Sequence, residues 1–269
     1  MRRFHRATFA AVAVFGFASV ASAADLPTKA PAYQAPAYAP SWTGFYLGVN
    51  GGWGWSKNTA SETPFGAVGI GGILPQSLDT SLNGAIFGGQ LGYNWQFGKW
   101  VLGIEGDFDG ASINGSSQSV FPDLLGGAGG TATDGLMVHQ NVQWLASIRG
   151  RLGYTWGPGL AYLTGGAAWE NVKTNVMIST DTDPAVFSQS ATGSFTSTKS
   201  GFVVGGGYEW MINPKWTVRG EYLYYGFNGG STNAINIPDC SGCGVNVTTG
   251  NNNISVVRLG VNYLFNSVH

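Results

Sequence analysis

The chain has 269 residues, of which 43 are glycine and 10% are charged, against about a quarter charged in an ordinary soluble domain. So much glycine works against helix, and so little charge makes a poor aqueous surface. The formal charge of −1 lacks the basic excess of nucleic-acid-binding proteins, so no nucleic acid partner is expected.

In chain order, residues 1–23 read as a signal peptide. MRRFHR is a basic head, Ala7 to Val20 an apolar run, and Ala21-Ser22-Ala23 a small-residue cleavage site. The run is shorter than the ~20 residues a spanning helix needs. Cleavage takes three of the 13 basic side chains, leaving ten against 14 acidic ones and a formal charge of −4. Residues 24–41 contain Ala-Pro-Ala-Tyr twice and read as an extended Pro/Ala-rich periplasmic tether. No later apolar run approaches 18 residues, so a membrane would have to be crossed by strands.

Eight segments then show two-residue alternation, over 43–56, 83–97, 99–112, 138–156, 159–175, 197–212, 215–228 and 252–265. Their connections alternate between short and long. Phe97-Gly98-Lys99, Trp156-Gly157-Pro158-Gly159 and Ile212-Asn213-Pro214-Lys215 are turn sequences. The stretches 57–82, 113–137, 176–196 and 229–251 are long and rich in Gly, Ser, Thr, Asn and Asp. Short turns on one side and long loops on the other are the pattern of an outer-membrane barrel with both termini in the periplasm. The expected fold is all-β: an eight-stranded antiparallel up-and-down transmembrane β-barrel over 42–265, followed by a C-terminal extension at 266–269.

The two phases of each strand decide which face is inside. In the fourth segment, Val142, Trp144, Ala146, Ile148, Leu152, Tyr154 and Trp156 oppose Gln143, Ser147, Arg149, Arg151 and Thr155. In the third, Trp100, Leu102, Ile104 and Phe108 oppose Val101, Gly103, Glu105, Asp107 and Asp109. Arg219 and Glu221, and Arg258, take the same polar phase in the last two segments. An apolar phase facing lipid leaves Glu105, Asp107, Glu170, Glu209 and Glu221 sharing the interior with Arg149, Arg151, Arg219 and Arg258. Such charges require partners, because a buried unpaired charge is costly. Glycine on the inward phase makes room for the arginines.

The aromatics fit the same assignment. Trp42, Trp95, Trp100, Trp156, Trp210 and Trp216 fall near the turn ends of strands, and Trp53, Trp55 and Trp169, with Tyr222 and Tyr224, toward the loop ends. These positions suit two interfacial girdles.

ADLPTKAP after the signal, then WTGFYLGVNGGWGW, GGQLGYNWQFGKWVLGIEGDF, LASIRGRLGY, LAYLTGGAAW, GFVVGGGYEWMI, WTVRGEYLYYGF and VRLGVNYLF together resemble the small outer-membrane immunogenic, porin-like proteins of alphaproteobacteria. These are similar in architecture to the eight-stranded OmpA and OmpX barrels. The resemblance covers nearly all of the chain apart from the long loops. It implies a Gram-negative outer-membrane location, with lipid and lipopolysaccharide as surroundings and the outer-membrane assembly machinery as a partner. Val261, Tyr263 and Phe265 match the family's C-terminal assembly signal, although Asn266-Ser267-Val268-His269 follow where such chains usually end.

Little catalytic chemistry is legible. Cys240 and Cys243, in PDCSGCG, read as a small disulfide ring in an oxidising compartment, with free thiols the alternative. A metal site would need further ligands that the neighbouring sequence lacks. His139 and His269 are the histidines outside the signal, and His139 reads as a solvated loop-edge residue. Glu105 with Asp107, and Arg219 with Glu221, read as ion-pair partners more than as acid and base. LLGGAGG and VGIGGI lack the lysine and context of a phosphate loop. No cofactor and no enzyme activity are expected. The expected function is that of a surface protein which supports the membrane and displays loops to host or cell-surface ligands. The alternative is a porin-like passive channel for small polar solutes, in which the inward glycines leave water pockets.

Overall fold

The computed structural model describes residues 41–65, 76–122, 133–180, 189–229, 231–236 and 244–265. Among these described residues nine strands follow in order: β1 Gly44–Phe65, β2 Gln76–Phe97, β3 Trp100–Pro122, β4 Thr133–Trp156, β5 Gly159–Thr180, β6 Gln189–Asn213, β7 Trp216–Phe227, β8 Ser231–Asn236 and β9 Gly244–Leu264. Each pairs antiparallel with the next through β7, and β9 lies between β7 and β1, which closes the sheet. β8 pairs with the first half of β9, beyond the point where β7 stops, so β7 and β8 act as one interrupted strand. The result is an eight-stranded up-and-down barrel.

The three tight turns have a local cause. Gly98 and Gly157 have φ of +62° and +59°, the left-handed region that a two-residue hairpin demands and that glycine enters without strain. The third turn is held by Asn213, whose Oδ1 accepts from the backbone N–H of Lys215 (2.9 Å) and Trp216 (3.0 Å).

Strands reach well beyond the segments of clear alternation. β1 and β2 pair out to Glu62↔Gln76, β3 and β4 to Pro122↔Thr133, and β5 and β6 to Thr180↔Gln189. Much of the four stretches expected to be long loops is therefore extended hairpin. Above the bilayer both faces of a hairpin meet water, so backbone pairing continues while the apolar phase that betrays a strand disappears.

The faces are arranged with the charges inside. Phe45, Leu163 and Leu259 are 59%, 72% and 70% exposed, whereas Arg149 and Arg258 are each 1% exposed. One local phase differs from expectation. The register between β4 and β5 shifts between Val142 and Trp144, a β-bulge that moves one residue out of the ladder. Such a step reverses the phase beyond it. Val142, expected on the lipid face with Trp144, is consequently buried inside the barrel beside Leu145.

Candidate functional site

The interior is filled in layers. Nearest the turns, Trp42, Tyr46, Val101, Leu160, Tyr162, Met211 and Leu264 form an apolar cluster. Trp42, expected in the turn-side girdle, is a correction: it is fully buried in the barrel mouth, and its indole N–H donates to Thr155 Oγ1 at 3.0 Å. An indole buried with a partner for its N–H is stable inside, and lipid contact is not needed to satisfy it.

Above this cluster lies an ionic layer. Glu105 accepts from Arg149 and Arg219 and from the Tyr46 hydroxyl (2.6 Å). Arg149 also reaches Asp107 (3.0 Å) and Glu221 (3.0 Å). Arg258 donates from Nε to Glu221 (2.7 Å) and from Nη1 to Asp109 (2.8 Å), with Asp107 at 3.4 Å. Arg151 pairs with Glu209 at 3.2 Å and lies between the rings of Tyr46 and Tyr162, with centroids 5.1 and 4.9 Å away. Neutral donors complete the carboxylates: Ser147 to Asp107, Asn50 to Asp109, Tyr162 to Glu221, and Thr217 and Asn262 to Glu209. Every carboxylate thus has both a cation and a neutral donor, which is what makes a buried ion cluster tolerable.

Two members differ from the sequence expectation. Asp109 belongs to the network, through Arg258 and Asn50. Glu170 does not: its Oε2 accepts from Asn252 Nδ2 at 2.7 Å, and Asn252 in turn accepts from Ser56 at 2.7 Å. Glu170 stands directly opposite Leu145 and Lys199 in the ladders, several residues nearer the loop end than the arginines. The alternation of β3 already placed Asp109 inside. The height of Glu170 depended on inter-strand stagger, which no single segment records.

A third layer is mostly apolar, with Glu170 standing between its members Ala168 and Val172 on β5. Leu82, Ile86, Ile113, Val142, Leu145, Ala168, Val172, Val203, Leu223, Tyr225, Phe227, Ile254 and Val256 pack together inside the barrel on the loop side of the arginines. This internal hydrophobic plug went unseen because its residues come one to three per strand and, Val142 apart, lie on the phase opposite the apolar one.

Several inward glycines leave little free space beside them. A Cβ at Gly54 would lie 2.5 Å from Ile113 Cδ1, one at Gly103 would lie 2.9 Å from Arg151 Cγ, and one at Gly207 would lie 2.7 Å from the Tyr162 hydroxyl. Their space is occupied by neighbouring side chains.

Outside, the turn-side aromatics form a ladder of ring contacts. Phe45, Tyr93 and Trp95 meet in succession, as do Trp100, Tyr154, Trp156, Tyr208 and Trp210, and Trp216, Tyr263 and Phe265. Toward the loops, Trp55 meets Tyr222, and Trp144 stacks on Phe108. Trp53 is exposed on the outer face, and Trp169 is half-buried. Val261 and Phe265 are exposed on the same outward face of the last strand. His139 is half-buried within β4, opposite Ser116 and Asn175. Cys240, Cys243, His269 and residues 1–40 lie outside the described residues. Among the described residues no group of three or more His, Cys, Asp and Glu side chains is arranged to hold a metal ion.

An apolar outer belt between aromatic rings, with a charged and filled interior, defines a β-barrel of the outer membrane. The profile of the outer membrane protein beta-barrel domain family matches residues 10–265, and the chain belongs to that family. It is 34% identical over 257 residues to the 31 kDa outer-membrane immunogenic protein of Brucella melitensis, covering 93% of this chain and 95% of the relative. It is 31% identical over 188 residues to the 22 kDa outer membrane protein of Rhizobium leguminosarum, covering 69% of this chain and 64% of that one. Among solved structures, the outer membrane protein OprG of Pseudomonas aeruginosa aligns with a TM-score of 0.47 at 11% identity, over 84% of this chain and all of the other. The protein resides in the Gram-negative outer membrane, surrounded by its lipid and lipopolysaccharide.

Proposed function

We propose that this protein is a closed, non-catalytic barrel that reinforces the outer membrane and carries extended hairpins to the cell surface. The observation that carries this reading is the stacking of the interior: an apolar cluster, an ionic layer and a second apolar plug follow one another along the axis. Small eight-stranded barrels are filled by side chains where wide porins hold water, and a dewetted apolar section is a barrier to ions. The surface role draws on the hairpins, whose tips are the places where host or cell-surface ligands would meet the protein. Non-catalytic character is supported by the ion-paired state of the carboxylates of the ionic layer, Glu105, Asp107, Asp109, Glu209 and Glu221, each held by arginine. Residues 1–23 serve as the export signal, residues 24–41 as a periplasmic tether, and Val261, Tyr263 and Phe265 as the strand read by the assembly machinery.

Single-channel recording of the refolded protein in a planar bilayer tests the reading. Silence is expected. Stable open steps in the parent protein would overturn closure and establish the passive-channel alternative.

A further inference from the structure

The two apolar layers that flank the ionic layer are built differently. All 13 residues of the loop-side plug lie on strands, so each is fixed by the backbone pairing of the barrel wall. The turn-side layer contains Trp42, which precedes β1 in a non-strand segment at 41–43. Among the described residues outside strands, Trp42 is the one that is buried.

Its attachments are few and lie outside the backbone ladders of the wall. The indole N–H is held by Thr155 Oγ1 at 3.0 Å, and the Trp42 backbone N–H by Gln96 Oε1 at 2.8 Å. Thr43 Oγ1 accepts from the Gln96 backbone N–H at 2.9 Å. The ladder between β1 and β2 begins only at Gly44↔Asn94, and that between β1 and β9 at Tyr46↔Leu264. Withdrawing Trp42 breaks two or three side-chain hydrogen bonds and one set of apolar contacts, while every strand pairing stays intact. Withdrawing any member of the plug requires the wall itself to move. The energetic difference is that between a local opening and a sub-global one.

We propose that Trp42 is a removable stopper on the turn side, the periplasmic side, of an ionic chamber whose other end is permanently sealed. The barrel is then a compartment with a single door. Opening the door admits water and small charged solutes to Arg151, Glu209 and Arg219 from the periplasm, without creating a through-channel. This rests on the closed-barrel reading, since an open barrel would have no chamber to stopper.

The test uses the full-length refolded barrel with Cys240 and Cys243 replaced by Ser and Thr164→Cys as reporter. Thr164 points inward on β5, directly opposite Arg151 in the ladder and outside the ion-pair network. Heat-dependent gel mobility verifies folding of each variant. The probe is a small, positively charged, membrane-impermeant thiol reagent. In the parent the reporter reacts slowly. Trp42→Ala accelerates it by about a hundredfold or more, the scale expected from removing an aromatic side chain from a packed site. Thr155→Val, which removes the indole's acceptor together with the hydroxyl's own bond to the Gly159 carbonyl, accelerates it by about fivefold and serves if the larger change prevents folding. Trp42→Ala remains silent in the planar bilayer. The inference is overturned if the parent reporter reacts as fast as a free thiol, if neither variant accelerates it, or if Trp42→Ala conducts. Conductance by the parent itself would instead overturn the closed-barrel reading.

Discussion

Arg258 on β9 and Glu221 on β7 stand directly opposite each other in the ladder, and Arg258 Nε donates to the Glu221 carboxylate at 2.7 Å with both side chains fully buried. The same guanidinium spans to Asp109 on β3 at 2.8 Å. A wall contact between neighbouring strands is thereby continued as a strut across the lumen.

Removing Arg258 leaves Asp109 without its cation and Glu221 and Asp107 with one cation fewer. Arg258→Leu is expected to destabilise the barrel by about 3–5 kcal/mol, because Glu221, Asp107 and Asp109 all lose charge compensation. Arg258→Leu combined with Glu221→Leu costs less than the two single changes together. Urea unfolding in detergent micelles, followed by tryptophan fluorescence, measures both, and strict additivity would count against a coupled network.

On the closed-barrel reading the apolar plug is the seal, and replacing an arginine leaves that plug untouched. Arg149→Ala and Arg219→Ala are expected to lower stability while the planar bilayer stays silent. Steps appearing with Arg219→Ala would show that the ionic layer was itself the barrier.

Glycine on the two faces responds oppositely to a methyl group. A Cβ at Gly52 would meet the Val257 carbonyl and come within 2.7 Å of Arg258 Cα, both backbone, so Gly52→Ala costs about 1–3 kcal/mol through overpacking. At Gly106 the nearest atom is Ser147 O, 3.8 Å away on the lipid side. Gly106→Ala is expected to be neutral or stabilising by up to about 1 kcal/mol, through lost freedom in the unfolded chain. Parallel urea titrations of the two variants decide this, and equal losses would refute the face assignment.

The tryptophans divide by lipid access. Trp95, Trp100, Trp156, Trp210 and Trp216 are exposed on the outer face, whereas Trp42 is enclosed. In vesicles of lipid brominated near the headgroup, emission from the outer set is quenched. Trp42→Phe then removes emission that the bromines do not reach. Equal quenching before and after this change would place Trp42 in the lipid.

The alternation of Trp100, Leu102 and Ile104 against Glu105 and Asp107, and the two-residue turns at Gly98 and Gly157, carried the barrel, its strand number and the inward charges. These features are local: a strand shows opposite faces every residue, and a turn glycine declares its φ. The outer, paired parts of the long hairpins were read as loops because alternation fades where both faces are wet. Val142 was assigned to the wrong face because a single bulged residue reverses phase without altering composition.

Composition and two-residue periodicity by themselves determined that the charges lie inside and that lipid lies outside, since a strand's faces are fixed by its own sequence. Which charges meet was decided only by the closed barrel. Arg219 faces Glu209 in the ladder yet donates to Glu105 across the lumen, and Glu170 lies too near the loops to meet any arginine. Partnership across the lumen depends on strand stagger and closure, which sum the registers of all the strands and are written in none of them alone. The same stagger gathers inward Ile, Leu and Val residues from separate strands into one cluster, and sets Ile113 and Val256 against Gly54, where the sequence read strand by strand suggested open space.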